Sequence, residues 1–85
     1  MTWQVVLTKQ AKKDARRIDS AGLKTKVKKL FAVLAKNPYE PPYEKLIGDL
    51  AGYYSRRINI QHRLVYQIIE ERKVVKIIRM WSHYE

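Results

Sequence analysis

The sequence predicts an α+β domain in the order β-α-α-β-β-β, with a two-helix hairpin packed on one face of a four-stranded, mainly antiparallel sheet. Three observations predict it. The chain opens on a short β-prone run, continues with two apolar stripes at helical spacing, and closes after Gly52 with three β-like runs separated by turn signals. Two helices can cover only one face of such a sheet, so the other face is expected to stay partly open.

The first strand is Trp3 to Leu7, rich in β-branched and aromatic residues. Thr8 is placed to cap a helix in which Ala11, Ala15 and Ile18 recur at four- and three-residue spacing, and Gly22 supplies its stop. Leu23, Val27, Leu30, Phe31 and Leu34 form the second stripe, which ends at Asn37-Pro38 because the residue before proline is driven out of the helical region. The stretch "NPYEPPYEKLIGDLAGYY" holds all three prolines and two of the three glycines. It reads as one long ordered loop, anchored by Tyr39, Tyr43, Leu46, Ile47 and Leu50, and long ordered loops in small domains tend to carry function.

Tyr54–Ile60 and Arg63–Ile69 are the next two strands, joined by a tight turn near Gln61. Val74–Trp81 is the last, after the charged turn Glu70-Glu71-Arg72-Lys73. Alternation assigns Leu64, Tyr66 and Ile68 to the helix side, and Arg63, Val65 and Gln67 to the open side. It likewise groups Ser55, Arg57 and Asn59 on one side and Tyr54, Arg56, Ile58 and Ile60 on the other. The side with Ile58 is the buried one, so Arg56 is expected near its margin, while Arg57 and Arg63 share an exposed, positive surface.

Composition narrows the function classes. Eighty-five residues, 46% of them hydrophobic, suit a single domain spanning 1–85 with one thin core. The absence of cysteine removes disulfides and thiolate zinc sites and fits a reducing compartment. No apolar run approaches the ~20 residues of a membrane span, and no signal-peptide layout opens the chain, so an intact cytoplasmic protein is expected. The formal charge of +10 is concentrated between Lys9 and Asn37, where ten basic residues face Asp14 and Asp19. A solvated helix face accounts for that charge; so does a surface that meets a polyanion, nucleic acid or acidic protein.

The segment "YEKLIGDLAGYYSRRINIQHRLVYQI", followed by "HY" near the C-terminus, resembles the Txe/YoeB family of bacterial toxins within the RelE-like group of toxin–antitoxin systems. The resemblance is carried by "E-x-L", "L-x-G-x-x-S-R-R-I", "H-R-L-V-Y" and the final "H-Y", four motifs in register over Glu44 to Tyr84. It implies a RelE-like fold and a ribosome-dependent endoribonuclease that cleaves messenger RNA and is held inactive by a cognate antitoxin, of the YefM or Phd kind. By position, Glu44 matches the family's general base, Arg63 its phosphate-stabilising arginine, His83 its general acid and Tyr84 its terminal tyrosine. The first helix is strongly basic here, where familiar members are acidic and aromatic, and Glu85 extends past the tyrosine.

The residue types suit that chemistry. RNA is cut without metal when its own 2′-hydroxyl attacks the adjacent phosphorus, which needs a base, an acid near the leaving 5′-oxygen, and positive charge around the phosphate. A carboxylate at Glu44 and an imidazole at His83 fit as base and acid. Arg63 and Arg57 can grip phosphate oxygens in forked pairs, and Tyr84 offers a ring for stacking. Lys45 and Arg57, together with Lys12, Lys13, Arg16 and Arg17 on the first helix, are expected to contact RNA. No metal ligand set and no cofactor motif stands out; His62 is read as a structural residue of the turn. The expected partners are an antitoxin and the ribosome with its messenger RNA, with a homodimer left open and no membrane. Two rival readings remain: a fold-sharing toxin with another target, such as DNA gyrase, and a non-catalytic basic adaptor that binds nucleic acid.

Overall fold

A computed structural model describes residues 2–48 and 52–80. Strand β1 (Gln4–Leu7) leads into helices α1 (Lys9–Ser20) and α2 (Lys24–Lys36). Strands β2 (Glu44–Lys45), β3 (Tyr53–Arg57), β4 (Arg63–Ile69) and β5 (Val74–Arg79) follow. They form a sheet in the order β1-β5-β4-β3-β2, in which β1 runs parallel to β5 and every other pairing is antiparallel. The expected α+β class and element order hold. The sheet has five strands rather than four because Glu44 and Lys45, expected in the loop, pair with Ser55 and Tyr54.

Three of the four ends of α1 and α2 have a chemical cause in a side chain or a glycine. Thr8 caps α1 as expected: its hydroxyl accepts from the Ala11 amide at 3.1 Å, and it also donates to the Ile78 carbonyl at 2.9 Å. That carbonyl belongs to the irregularity where the β4–β5 register shifts between Val65 and Tyr66, so one threonine ties the start of α1 to the bend in β5. At the other end of α1, Gly22 takes a left-handed φ of 74°. This lets Leu23 N–H reach Ile18 O at 3.0 Å and Gly22 N–H reach Asp19 O at 3.1 Å, the paired bonds of a Schellman stop. Helix α2 ends at Asn37, whose amide still reaches Val33 O at 2.8 Å while its side chain turns to accept from Tyr39 N–H at 3.1 Å.

The core lies between the helix pair and one sheet face. Ala11 and Ile18 of α1, and Val27 and Leu34 of α2, pack on Leu64, Tyr66, Val75 and Ile77, with Ile58 and Met80 at its ends. Asp14 belongs to the same buried stripe, one turn after Ala11. It is fully buried, accepts from the Met80 amide at 3.0 Å and from Gln10 Nε2 at 2.9 Å, and lies 3.5 Å from Arg79 Nε. A buried carboxylate is tolerated only with such partners, and here they pin the end of β5 to α1.

Four expectations on side-chain placement are corrected. Strand β3 stops at Arg57, and Ile60, expected on the buried side, is 93% exposed in the Ile58–His62 turn. Val65 is buried although it faces away from the helices. Ile47, expected as a loop anchor, is exposed. Arg56 lies inside rather than at the margin, only 4% exposed. His62 does serve the turn, through its own backbone: its carbonyl accepts from Ile58 N–H at 2.9 Å, and its amide donates to Asn59 Oδ1 at 2.7 Å. Among the described residues no helix is long and apolar enough to cross a membrane.

Candidate active site

Strand register assembles the site on the face opposite the helices. Glu44 stands across from Ser55, and Arg57 across from Arg63, so alternation turns all four side chains to one side. Arg63 Nη1 donates to Glu44 Oε1 at 2.7 Å and to Ser55 Oγ at 3.2 Å. The guanidinium is mostly covered while the carboxylate is two-thirds exposed, so the pair opens to solvent from the Glu44 side. The Arg63 hydrogen bond and its positive charge, with a further contribution from Arg57, hold the Glu44 carboxyl below the usual glutamate range. Glu44 is therefore ionised at neutral pH.

Beside Glu44 lies a cleft of about 320 Å³. Its apolar lining is Leu30, Pro42 and Tyr43, and its polar lining Glu44, Ser55, Arg56 and Arg57. A second hollow, of about 390 Å³, lies between α1 and α2 over Val27, Phe31 and Met80. Its floor is apolar, and its rim carries Arg16, Asp19, Lys24 and Lys28.

The expected site residues thus divide. Glu44 and Arg63 come together, with Arg57 next to them. Lys45 is exposed, but pairs with Tyr54 and so faces the other side of its strand. Lys12, Lys13, Arg16 and Arg17 are exposed on α1, as expected from the stripe they flank. His83, Tyr84 and Glu85 lie outside the described residues, as do Leu50 and Trp81. Ser55 was not singled out from sequence; the signal was its place two residues before Arg57 on the same strand face, opposite Glu44.

The family model described as "ParE toxin of type II toxin-antitoxin system, parDE" matches residues 5–85. The chain belongs to this toxin family. It is 39% identical over 61 residues to Toxin YoeB of Streptomyces coelicolor, covering 69% of this chain and 70% of that one. Among solved structures, the YoeB/ParE toxin from Agrobacterium tumefaciens superposes with a TM-score of 0.86 at 29% identity, covering 95% of this chain and 99% of that one. The YoeB–YefM complex from Staphylococcus aureus gives a TM-score of 0.80 at 30% identity, covering 99% and 100%. The protein is a toxin of a type II toxin–antitoxin system, and its resemblance to the YoeB toxins extends through the whole fold of this toxin.

Proposed function

We propose that this toxin is a ribosome-dependent endoribonuclease that cleaves messenger RNA by metal-independent attack of the 2′-hydroxyl on the adjacent phosphorus. The observation that carries this reading is the Glu44–Arg63 pair: a solvent-open carboxylate held 2.7 Å from a guanidinium on an uncovered rim of the sheet. In the reaction, Glu44 takes the proton from the 2′-hydroxyl, a bond forms from the 2′-oxygen to phosphorus, and the bond to the 5′-oxygen breaks. His83 supplies the proton that the departing 5′-oxygen needs, a role it takes from the YoeB resemblance. Arg63 and Arg57 balance the charge that builds on the phosphate oxygens.

The pair also supplies a reason for the base to act only with substrate present. Without RNA, Arg63 keeps Glu44 ionised and weakly basic. A phosphate that engages Arg63 draws the guanidinium off the carboxylate, and the proton affinity of Glu44 then rises towards that of an ordinary glutamate. Base strength increases as the scissile group arrives.

The basic face of α1 docks on ribosomal RNA, so the toxin acts in the cytoplasm, and an antitoxin of the YefM kind restrains it, as the partner in the Staphylococcus aureus complex suggests. Single-turnover cleavage of messenger RNA on programmed ribosomes tests the assignment. Glu44→Ala and His83→Ala should each lose roughly 10²–10⁴-fold in rate while remaining folded. Folded variants that cut at the parental rate overturn it.

A further inference from the structure

Arg56 stands one residue from Ser55 and Arg57 on β3 but points the opposite way, into the protein. Three of its four hydrogen bonds go to a single segment. Nε donates to Tyr66 Oη at 3.2 Å, Nη1 to Pro42 O at 3.3 Å, and Nη2 to Pro38 O at 3.4 Å and to Glu40 O. Tyr66 Oη donates in turn to Pro38 O at 3.3 Å. The rings of Tyr43 and Tyr66 lie 5.8 and 5.9 Å from the guanidinium carbon. Among the described residues no carboxylate pairs with this buried cation; carbonyl dipoles and ring faces solvate it instead.

The carbonyls of residues 38, 40 and 42 alternate along the strap between α2 and β2. Pro38, Pro41 and Pro42 bring no N–H, so this strap is short of donors for its own carbonyls. Arg56 supplies them from the sheet. The strap ends two residues before Glu44, and β2 is a strand of only two residues, too short to keep its register unaided.

We propose that Arg56 is a positioning residue: its fork clamps the proline strap and thereby sets where Glu44 meets Arg63. The inference rests on the reading of Glu44 as the base, and its test separates the two. Lysine cannot replace Arg56, because a point charge does not reach three carbonyls and a phenol at once.

The experiment uses the whole toxin with Arg56→Met, which keeps the apolar stem. Carbon-detected NMR follows the Glu44 carboxyl titration without RNA, and single-turnover cleavage follows function. Release of the strap should raise the Glu44 midpoint towards that of an ordinary glutamate, and cleavage should fall roughly 10²-fold, the cost of a misplaced catalytic group. A folded Arg56→Met protein with an unmoved Glu44 titration overturns the clamp. A moved titration with parental cleavage leaves the clamp standing and refutes Glu44 as base. If Arg56→Met does not fold, Tyr66→Phe decides: it removes one hydroxyl that holds both Arg56 Nε and Pro38 O. Faster amide exchange at residues 39–45 is then expected, and unchanged exchange overturns the proposal.

Discussion

Replacing Arg63 by lysine and by alanine separates charge from geometry at the centre of the site. Among the described residues, Nη1 of Arg63 is the nitrogen that is engaged, by Glu44 at 2.7 Å and Ser55 at 3.2 Å, so a phosphate meets Nε and Nη2 first and then draws Nη1 off the carboxylate. Lysine keeps the charge but loses one arm of the fork. A hydrogen bond to a charged group contributes about 1.5–3 kcal/mol. At about 1.4 kcal/mol per decade, Arg63→Lys should slow cleavage roughly tenfold to a hundredfold. Alanine removes the charge as well, and loss of a donor aimed at developing charge costs about 10²–10³-fold or more. The assay is single-turnover cleavage on programmed ribosomes at saturating toxin, with the Glu44 titration measured on the free proteins. Glu44 should titrate higher in Arg63→Ala, because its main hydrogen bond and nearest positive charge are gone. Loss of the ion pair itself should change thermal stability little, since its Glu44 half is two-thirds exposed. Parental rates in both variants would reduce Arg63 to an ordinary strand residue, and equal losses in both would refute the part assigned to charge.

Asp14→Ala should be among the most destabilising single changes in α1. It leaves the Met80 amide unpaired in the interior and strips Arg79 of its carboxylate, a loss of about 2–4 kcal/mol after allowing for the partial exposure of Arg79. Urea unfolding that shifts by less than about 0.5 kcal/mol would show that the tie between α1 and β5 is dispensable. Changing Lys12, Lys13, Arg16 and Arg17 together to glutamine should weaken ribosome association and flatten its salt dependence, because fewer counterions are released. The saturated cleavage rate should hold; its collapse with affinity intact would contradict the separation of a docking face from a catalytic face. In a spectrophotometric titration followed in a Tyr66→Phe background, because burial also raises the Tyr66 phenol, Tyr39 should ionise only near pH 12, since its hydroxyl donates to Glu70. The raised value means that this bond stabilises the fold below about pH 10 and is lost as the pH climbs through about 12; Tyr39→Phe should remove that late-titrating phenol, and a late phenol that persists would assign it elsewhere.

Helix positions and the order of elements along the chain were legible because their causes are local: Thr8 as cap, Gly22 as stop, and apolar spacing in both helices. Alternation alone placed Arg63 on the exposed face beside Arg57, but the pairing of Glu44 with it was suggested only by the toxin resemblance, since a glutamate in a proline-rich stretch carries no chemical signal by itself. What escaped depends on long-range partners. Asp14 reads as a surface charge among lysines until the end of β5 is brought against it. Arg56 reads as an arginine at the margin of the buried face until three carbonyls from residues 38–42 converge on it. Strand β2 escaped because two residues show no period. Ile60 was misplaced because alternation was extended past Arg57, where the Asn59 side chain takes over the backbone amides of Gln61 and His62.

The central claim is that the RNA's own 2′-hydroxyl is the nucleophile and Glu44 its base. The most direct measurement compares two messenger RNAs on programmed ribosomes with the purified toxin. One is all-ribose; the other carries a single 2′-deoxy nucleotide on the 5′ side of the mapped cut. The all-ribose message should be cut to leave a 2′,3′-cyclic phosphate and a 5′-hydroxyl, and the deoxy message should stay intact at that site. Cleavage of the deoxy message at the parental rate would make water the nucleophile and contradict the account.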